Sequence, residues 1–167
     1  MKVITNVVRM SYLHTFTPTS YNDGPPRYSA TLLIDKKDSD TLSAIDYAIE
    51  QCCIAGKEKW GKDWNPTKLP LRDGDVEKSQ DEAYQNKWYV NAHSTKQPTV
   101  VGRDTSHIIT SSDEFYSGCY GKASITFYPF SHPDLDGIAV ALNNLQKWED
   151  GERLGQSSAV TDFKSDY

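Results

Sequence analysis

Residues 116–154, which read YSGCYGKASITFYPFSHPDLDGIAVALNNLQKWEDGERL, contain the two longest strand-like runs of this 167-residue chain. The runs cover 119–130 and 137–148, and the Pro, Asp and Gly residues between them are typical of a tight turn. Apolar residues alternate along the first run, as they do in a half-buried strand. The stretch therefore predicts a long β-hairpin that completes a sheet.

The first run has two different faces, because successive side chains of a strand point to opposite sides. One face is small and apolar, which predicts a core position. It comprises Cys119, Gly121, Ala123, Ile125 and Phe127. The other comprises Tyr120, Lys122, Ser124, Thr126 and Tyr128. Tyr rings can stack on unpaired bases at ~1–3 kcal/mol each, and a lysine between them would contact phosphate. This second face is a candidate surface for single-stranded nucleic acid, with an ordinary half-exposed sheet face as the alternative.

Four further strands and one helix are predicted elsewhere. The strands are 2–13, 27–35, 87–94 and the short extended segment 99–102. The helix begins at Asp38 or Ser39 and ends near Gly61, because apolar residues recur at helical spacing and charged residues lie at the ends that favour them. Residues 60–86 contain two prolines and an Asp-Gly turn, so an irregular segment is predicted there. Loops of this length are often functional.

The arrangement of these elements indicates the fold class. Strands that do not alternate regularly with helices argue against a parallel α/β sheet. A mainly β protein with one helix fits better, and an OB-type, five-stranded, partly open β-barrel is predicted. Residues from Gly155 onward are small, polar and acidic, which predicts a flexible C-terminal tail.

The chain is rich in aromatic residues, with ten Tyr, five Phe and four Trp. Tyr suits a binding surface because it buries a ring and keeps its hydroxyl in water, although tyrosines at the rim of a β-rich core are the alternative. The net charge is −5, whereas nucleic-acid binders are usually basic. Residues 1–37 nevertheless hold five Lys or Arg against two Asp. A local positive groove is therefore compatible with the net charge.

Targeting signals are not apparent in the sequence. No apolar run approaches the ~20 residues of a membrane span, and the N-terminal residues lack the apolar region of a signal peptide. Three cysteines, two of them adjacent, form no paired disulfide framework and suit a reducing cytosol. A cytoplasmic location is therefore expected.

Cations and aromatic residues outside the hairpin extend the candidate surface. Trp88 and Tyr89 are adjacent in a predicted strand, so one of them is expected to face the core and the other to be exposed. Nearby cations could follow a phosphate backbone. The full set of predicted nucleic-acid contacts is Tyr120, Lys122, Tyr128, Tyr116, Trp88, Tyr89, Lys87, Lys96 and Arg103.

The turn of the hairpin places His132, Asp134 and Asp136 close together. A histidine and two carboxylates can hold a divalent metal, which leaves a metal-dependent nuclease as an alternative function. A tight turn explains the Pro, Asp and Gly of this segment fully. No catalytic triad or phosphate-binding glycine loop can be assigned, so no catalytic residue, metal or cofactor is predicted.

Four segments together resemble a family of tailed-phage single-stranded DNA-binding proteins that was long catalogued as a domain of unknown function. They are RYSATLLIDKKD at 27–38, the predicted helix at 42–59, YSGCYGKASITFYPF at 116–130 and GIAVALNNLQKWEDGERLG at 137–155. The resemblance covers about residues 2–155, and 116–155 is its most specific part. It implies an OB fold, sequence-independent binding of single-stranded DNA, and a role in phage replication or recombination.

The last residues interleave acidic and aromatic side chains. The chain is similar, more distantly, to other phage DNA-binding proteins whose acidic tails with a terminal aromatic residue recruit polymerase and helicase. This resemblance implies a partner-binding tail, with a solubilising chain end as the alternative. The residues concerned are Asp162, Phe163, Asp166 and Tyr167.

The sequence thus predicts a non-catalytic protein with an OB domain at 1–154 and a tail at 155–167. It would coat and protect single-stranded DNA of a bacteriophage in the cytoplasm of the infected bacterium. Its expected partners are single-stranded DNA and, through the tail, phage replication proteins, and self-association on DNA is compatible with this role. A structural β-protein of the virion, whose tyrosines make subunit contacts, is a further alternative.

Overall fold

The computed structural model describes residues 1–20 and 23–155. The strands are β1 (Lys2–Ile4), β2 (Val8–Thr19), β3 (Arg27–Asp35), β4 (Arg72–Asp73), β5 (Lys87–Ser94), β6 (Thr99–Val101), β7 (Tyr120–His132) and β8 (Leu135–Glu149). The helices are α1 (Ser39–Trp60), the short α2 (Gly74–Glu77) and a 3-10 turn at Glu82–Tyr84. The protein is mainly β with one long helix, as predicted.

Five strands form a ring in the order β2–β3–β5–β8–β7, and β7 pairs again with β2. All neighbours are antiparallel except β5 and β8, which are parallel and in register at His93 and Ala141. The core fills the ring, with Met10, Leu32, Val90, Ile125 and Leu142 at most 3 % exposed. The predicted OB-type, partly open barrel is confirmed.

α1 begins and ends where the sequence predicts. The Asp38 carboxylate accepts a hydrogen bond from the Thr41 backbone N–H at 3.2 Å, and Gly61 ends the helix at a φ of 96°. The helix packs against β7 and β1. Within the ranges that the structure describes, no helix is both long and apolar enough to cross a membrane.

The predicted hairpin is present and is longer than expected. β7 and β8 stay paired until only Pro133 and Asp134 connect them. Beside this turn the Ser131 hydroxyl donates to the Asp136 carboxylate at 2.7 Å, which adds a side-chain bond to the ladder. The two predicted faces of β7 are confirmed, because the residues assigned to the core are buried and those assigned to the other face are partly or fully exposed.

The first predicted strand, 2–13, is two strands in the structure. β1 pairs with β7, whereas β2 pairs mainly with β3. Between them, Thr5 is buried and exchanges two bonds with Ala123. Its N–H donates to the Ala123 carbonyl and its hydroxyl accepts from the Ala123 N–H, both at 3.0 Å. Alternation could not reveal this break, because the residues on both sides of it continue the strand pattern.

Trp64 joins the helix to the hairpin. It is 2 % exposed, and its ring lies on Gly56 of α1, where a β-carbon would be 2.4 Å from the ring atoms. The indole Nε1 donates to the Phe130 carbonyl at 3.1 Å. The segment 60–86, predicted to be irregular, therefore contains a buried anchor.

The loop after Trp64 runs along the start of β8. The Thr67 N–H donates to the Asp136 carbonyl, and the Ile138 N–H donates to the Lys68 carbonyl, both at 3.1 Å. These bonds fix Lys68 and the residues that follow it against the end of the hairpin.

Gly56→Ala should destabilise the protein, although Ala favours helices over Gly by about 1 kcal/mol. The added methyl group would displace the Trp64 ring, and overpacking of this kind costs ~1–3 kcal/mol. Urea unfolding followed by circular dichroism measures the change. The matched control is Ala55→Gly at an exposed position of α1, which should lose about 1 kcal/mol through helix propensity alone. A Gly56→Ala variant more stable than the wild type would contradict this packing.

Candidate nucleic-acid interface

A groove crosses the outside of the barrel where β3 and β5 meet the end of the hairpin. It consists of two adjoining cavities of about 560 and 550 Å³, which share Arg27, Arg72, Asn91 and His93. We name it the basic groove. Its further lining residues include Tyr12, Thr31, Lys68, Lys78, Tyr128 and Phe130.

The floor of the basic groove is the outer face of β3 and β5. Ser29 lies opposite His93, and Thr31 lies opposite Asn91. Side chains alternate along a strand, so the residues between them, such as Ala30, fill the core. The floor therefore offers hydroxyl, amide and imidazole groups.

Four cations line the basic groove. They are Arg27 at the start of β3, Lys68 in the loop that follows α1, Arg72 in β4, and Lys78 after α2. Arg72 is paired with Glu77, with 3.0 Å between Nη1 and Oε1. The other three form no ion pair with any residue that the structure describes. Neither cavity has an Asp or Glu among its described lining residues. The groove is thus positive in a chain whose net charge is −5.

The surroundings of His93 favour its neutral imidazole. Burial lowers the pKa of its imidazole below the ordinary value of 6.5, and the charges of Arg27 and Lys68 lower the pKa further. The imidazole is therefore neutral at pH 7 and offers one N–H donor and one acceptor nitrogen.

Tyr128 and Phe130 form the hairpin wall of the basic groove. The Phe130 ring lies over Gly137, where a β-carbon would be 2.5 Å from it, and its centroid is 5.0 Å from that of His132. Tyr128, two residues before it on the same face of β7, is 45 % exposed. Gly137 thus leaves room for Phe130, while Tyr128 remains available for stacking.

Tyr12 lines the second cavity of the groove. It is 56 % exposed and has a φ of 45°. The register of β2 against β3 shifts between Ser11 and His14, which marks a β-bulge. A bulky residue at positive φ is strained, and strain of this kind clusters at functional sites.

Two of the nine predicted contacts, Tyr128 and Tyr89, line the basic groove. Tyr89 is 3 % exposed, and its ring packs edge-on against Tyr84 with 5.2 Å between centroids. It is thus the buried member of the pair Trp88 and Tyr89. Because its ring has no open face, we exclude Tyr89 from the stacking residues.

Trp88 and Lys87 lie where β5 begins and are engaged with neighbouring charges. Lys36 Nζ lies 5.3 Å from the Trp88 ring centroid and bonds two Asp carboxylates at 2.7 Å each. Lys87 Nζ lies 3.5 Å from an Asp35 carboxylate oxygen. Lys96 is exposed in the loop between β5 and β6 and lies outside both cavities.

The other predicted contacts lie at the far end of the hairpin, where β7 begins and β8 ends. Arg103 Cζ lies 4.3 Å and Lys122 Nζ 4.7 Å from the Trp148 ring centroid. Tyr116 and Tyr120 have cations against their rings in the same way. We name this cluster the Trp148 patch; it comprises Arg9, Arg103, Tyr116, Tyr120, Lys122, Lys147, Trp148 and Arg153.

The predicted face of β7 therefore contributes to two separate places. Tyr120 and Tyr128 are eight residues apart in the sequence, which corresponds to ~26 Å along a strand. Tyr128 lies in the basic groove, and Tyr120 lies in the Trp148 patch.

The His132, Asp134 and Asp136 turn has a structural explanation. The Asp136 carboxylate accepts from the Ser131 hydroxyl at 2.7 Å and from the Asn65 N–H at 3.1 Å. In the described part of the chain, no group of three or more His, Cys, Asp or Glu residues could hold a metal ion. Asp136 therefore serves to hold the loop and the hairpin together.

Sequence reasoning missed Arg27, Lys68, Arg72 and Tyr12. Arg27 begins a strand, and Lys68 and Arg72 lie in the segment 60–86, whose length was the one available signal. These cations meet only when the loop docks on the hairpin. Tyr12 is displayed by a bulge that strand alternation does not reveal.

Comparison with known proteins places these features in context. The family described as Enterobacter phage Enc34, ssDNA-binding protein, matches residues 1–167 of this chain. Protein p50 of Acyrthosiphon pisum secondary endosymbiont phage 1 is 31% identical over 176 aligned residues, which cover 98% of this chain and 92% of that protein.

Solved structures of phage proteins are also similar to this chain. The single-stranded DNA-binding protein of bacteriophage Enc34, solved in complex with ssDNA, is 27% identical with a TM-score of 0.77, and the match covers 92% of this chain and 89% of that one. The single-stranded DNA-binding protein gp2.5 of bacteriophage T7 is 11% identical with a TM-score of 0.66, covering 94% and 96%. The second likeness concerns the fold alone.

The pKa of His93 should lie below 6.5, and Arg27→Gln should raise it, because the variant removes one of two nearby positive charges. An NMR titration of the imidazole C–H signals measures this pKa. Since the folded state favours the neutral imidazole, the associated stability is present above pH 6.5 and is lost as the pH falls from 6.5 through the lowered pKa. Lys62→Gln, at an exposed position outside both cavities, is the control. An unchanged His93 pKa in Arg27→Gln would contradict the proposed proximity.

Proposed function

Because this chain belongs to the family of the Enterobacter phage Enc34 ssDNA-binding protein, we propose that it coats phage single-stranded DNA and holds the strand in the basic groove. Coating would protect exposed strands and remove hairpins during phage replication or recombination.

The position of the basic groove on the barrel carries this proposal. OB folds bind oligonucleotides on the face of their second and third strands, between the loops that join strands one to two and four to five. In this ring those strands are β3 and β5, and the last of these loops is the β7–β8 turn. The groove has β3 and β5 as its floor and the hairpin end as its wall. Cations and an exposed tyrosine thus lie on the usual binding face of this fold.

In the basic groove, cations would contact phosphates and tyrosines would stack on bases. Arg27 and Lys68 would contact phosphates directly, since neither has an ion pair to give up among the described residues. Arg72 would leave its ion pair with Glu77 and contact a phosphate instead. Tyr128, with Tyr12 in the second cavity, would stack on bases. Every nucleotide carries a phosphate and a π-face, so binding of this kind is independent of sequence.

The Trp148 patch would contact a strand that extends beyond the groove. Lys122 and Arg103 are its cations nearest the indole. Arg103 Nε already donates to the Trp148 carbonyl at 2.6 Å, so a weaker contribution than that of the groove is expected. Lys96 stays a candidate for a phosphate contact, whereas Trp88 and Lys87 would first have to leave their present partners.

We further propose that the protein binds DNA without catalysing a reaction and acts in the host cytoplasm. The carboxylate of Asp136 is engaged in holding the fold, which speaks against a nuclease at the turn. Recruitment of replication proteins through the tail rests on the resemblance alone. The tail residues concerned, Asp162, Phe163, Asp166 and Tyr167, lie outside the described residues.

Tyr128→Ala and Arg27→Gln should weaken binding to a dT oligomer in different ways. Tyr128→Ala removes a stacking ring, which costs ~1–3 kcal/mol and weakens binding about 5- to 150-fold. Arg27→Gln removes one phosphate contact, which should reduce the slope of log affinity against log salt by about 0.7. Fluorescence anisotropy of a labelled strand at several NaCl concentrations measures both effects.

Tyr47→Ala and Lys62→Gln serve as matched controls, because they remove an exposed ring and an exposed charge outside the groove. Both should bind like the wild type. Equal losses in groove and control variants would argue against the groove. The labelled strand should also stay intact with magnesium, and its cleavage would instead favour the nuclease alternative.

Lys122→Gln combined with Arg103→Gln should weaken binding of long strands only. A strand of about 5 nucleotides fits one short site, whereas one of about 20 exceeds the usual span of an OB fold. Anisotropy with both lengths tests this, and Arg27→Gln, which should weaken both, is the comparison. Equal weakening of the two lengths by the double variant would show that patch and groove are not separate contacts.

A further inference from the structure

Glu77, the last residue of α2, lies at the rim of the basic groove. It lines a neighbouring cavity of about 470 Å³ that shares Lys68, Leu69, Arg72 and Leu135 with the groove. Its Oε1 is 3.0 Å from Arg72 Nη1. A guanidinium binds carboxylate and phosphate oxygens with the same N–H donors. The carboxylate of Glu77 therefore occupies a cation that a DNA phosphate would use.

The short helix that carries Glu77 is fastened to the sheet. Lys36, which follows β3, bonds the carboxylates of Asp73 and Asp75 at 2.7 Å each. Asp75 also accepts a hydrogen bond at 3.0 Å from the N–H of Asn86, which precedes β5. These bonds join α2 to the end of one strand and the start of another. Glu77 therefore stays beside the groove when its guanidinium partner turns to a phosphate.

This arrangement opposes the binding of a strand in two ways. The ion pair between Arg72 and Glu77 is lost, and the carboxylate is then left unpaired near a phosphate of the same charge. The two side chains are 37 % and 39 % exposed, and loss of a surface pair of this kind corresponds to about a 1.4- to 5-fold change in affinity. Salt screens both effects.

We propose that Glu77 competes with the phosphates of DNA for Arg72 and so limits the affinity of the basic groove. The inference rests on the proposed function, since competition requires that the groove bind DNA. Its consequence for a coating protein is easier release of the strand, because the carboxylate recaptures the guanidinium as a phosphate leaves. An acid that oriented Arg72 toward DNA would have the opposite effect on affinity.

The affinity of Glu77→Gln for a dT oligomer tests this competition. The variant should bind more tightly than the wild type, because Arg72 has no carboxylate to leave, and the gain should shrink as NaCl rises. In an Arg72→Gln background the ion pair is already absent, so the gain from Glu77→Gln should be smaller by about 1.4- to 5-fold. Fluorescence anisotropy of a labelled strand about 12 nucleotides long measures the four affinities.

Glu82→Gln is the matched control for the loss of one negative charge. Glu82 lines another shallow cavity together with Glu77 and is outside both groove cavities. It forms no ion pair with any residue in the described ranges. Its replacement should therefore increase affinity less than Glu77→Gln does.

The sign of the change and its dependence on Arg72 decide the outcome. If the wild type binds DNA but Glu77→Gln binds equally or more weakly, the inference is overturned and the proposed function stands. Equal gains in the two backgrounds would also overturn it, since the charge of Glu77 would then act without the ion pair. If the wild type binds no oligomer, both fall. Glu77 is exposed, so its replacement should leave the fold intact, which circular dichroism verifies.

Discussion

The contact on which the rest of the structure depends is the packing of Trp64 on Gly56, together with the hydrogen bond from the indole to Phe130. It connects α1 to the hairpin and fixes the start of the loop between them. The loop then places Lys68 beside β8 and Arg72 beside β5. Packing inside the protein thus positions two cations of the basic groove. Because Gly56 leaves room for the Trp64 ring, this glycine of α1 is required for the positive charge of the groove.

The sequence predicts the fold best where local pattern and tertiary pairing agree. α1 has its own cap and spacing, and the strands 27–35 and 87–94 have the observed bounds. The prediction fails at Thr5, where a buried exchange of hydrogen bonds divides one alternating run into two strands. For the interface, sequence predicts the chemistry but not its location. Alternation assigns Tyr120 and Tyr128 to one face, but it cannot show that they lie in different surroundings on a long strand.

The acidic net charge and the positive groove are compatible because acidic side chains lie outside the groove cavities and several are engaged elsewhere. Two Asp carboxylates surround Lys36, and Asp38 caps α1. Salt limits the reach of charge to about 10 Å at 0.1 M, so a bound phosphate experiences mainly its immediate surroundings. Net charge is therefore a poor guide to binding in this chain, and the arrangement of Arg27 and Lys68 is a better one.

The positions of the four tryptophans determine which fluorescence signal reports each surface. None of the four is among the residues that line the groove cavities, whose aromatic side chains are Tyr and Phe. Occupation of the groove alone would quench tyrosine emission and leave indole emission nearly unchanged. An indole signal would follow once a strand reached Trp148. The two surfaces are thus spectrally distinct: light that excites indole alone reports contact at Trp148, whereas emission at the shorter wavelengths of tyrosine reports occupation of the groove.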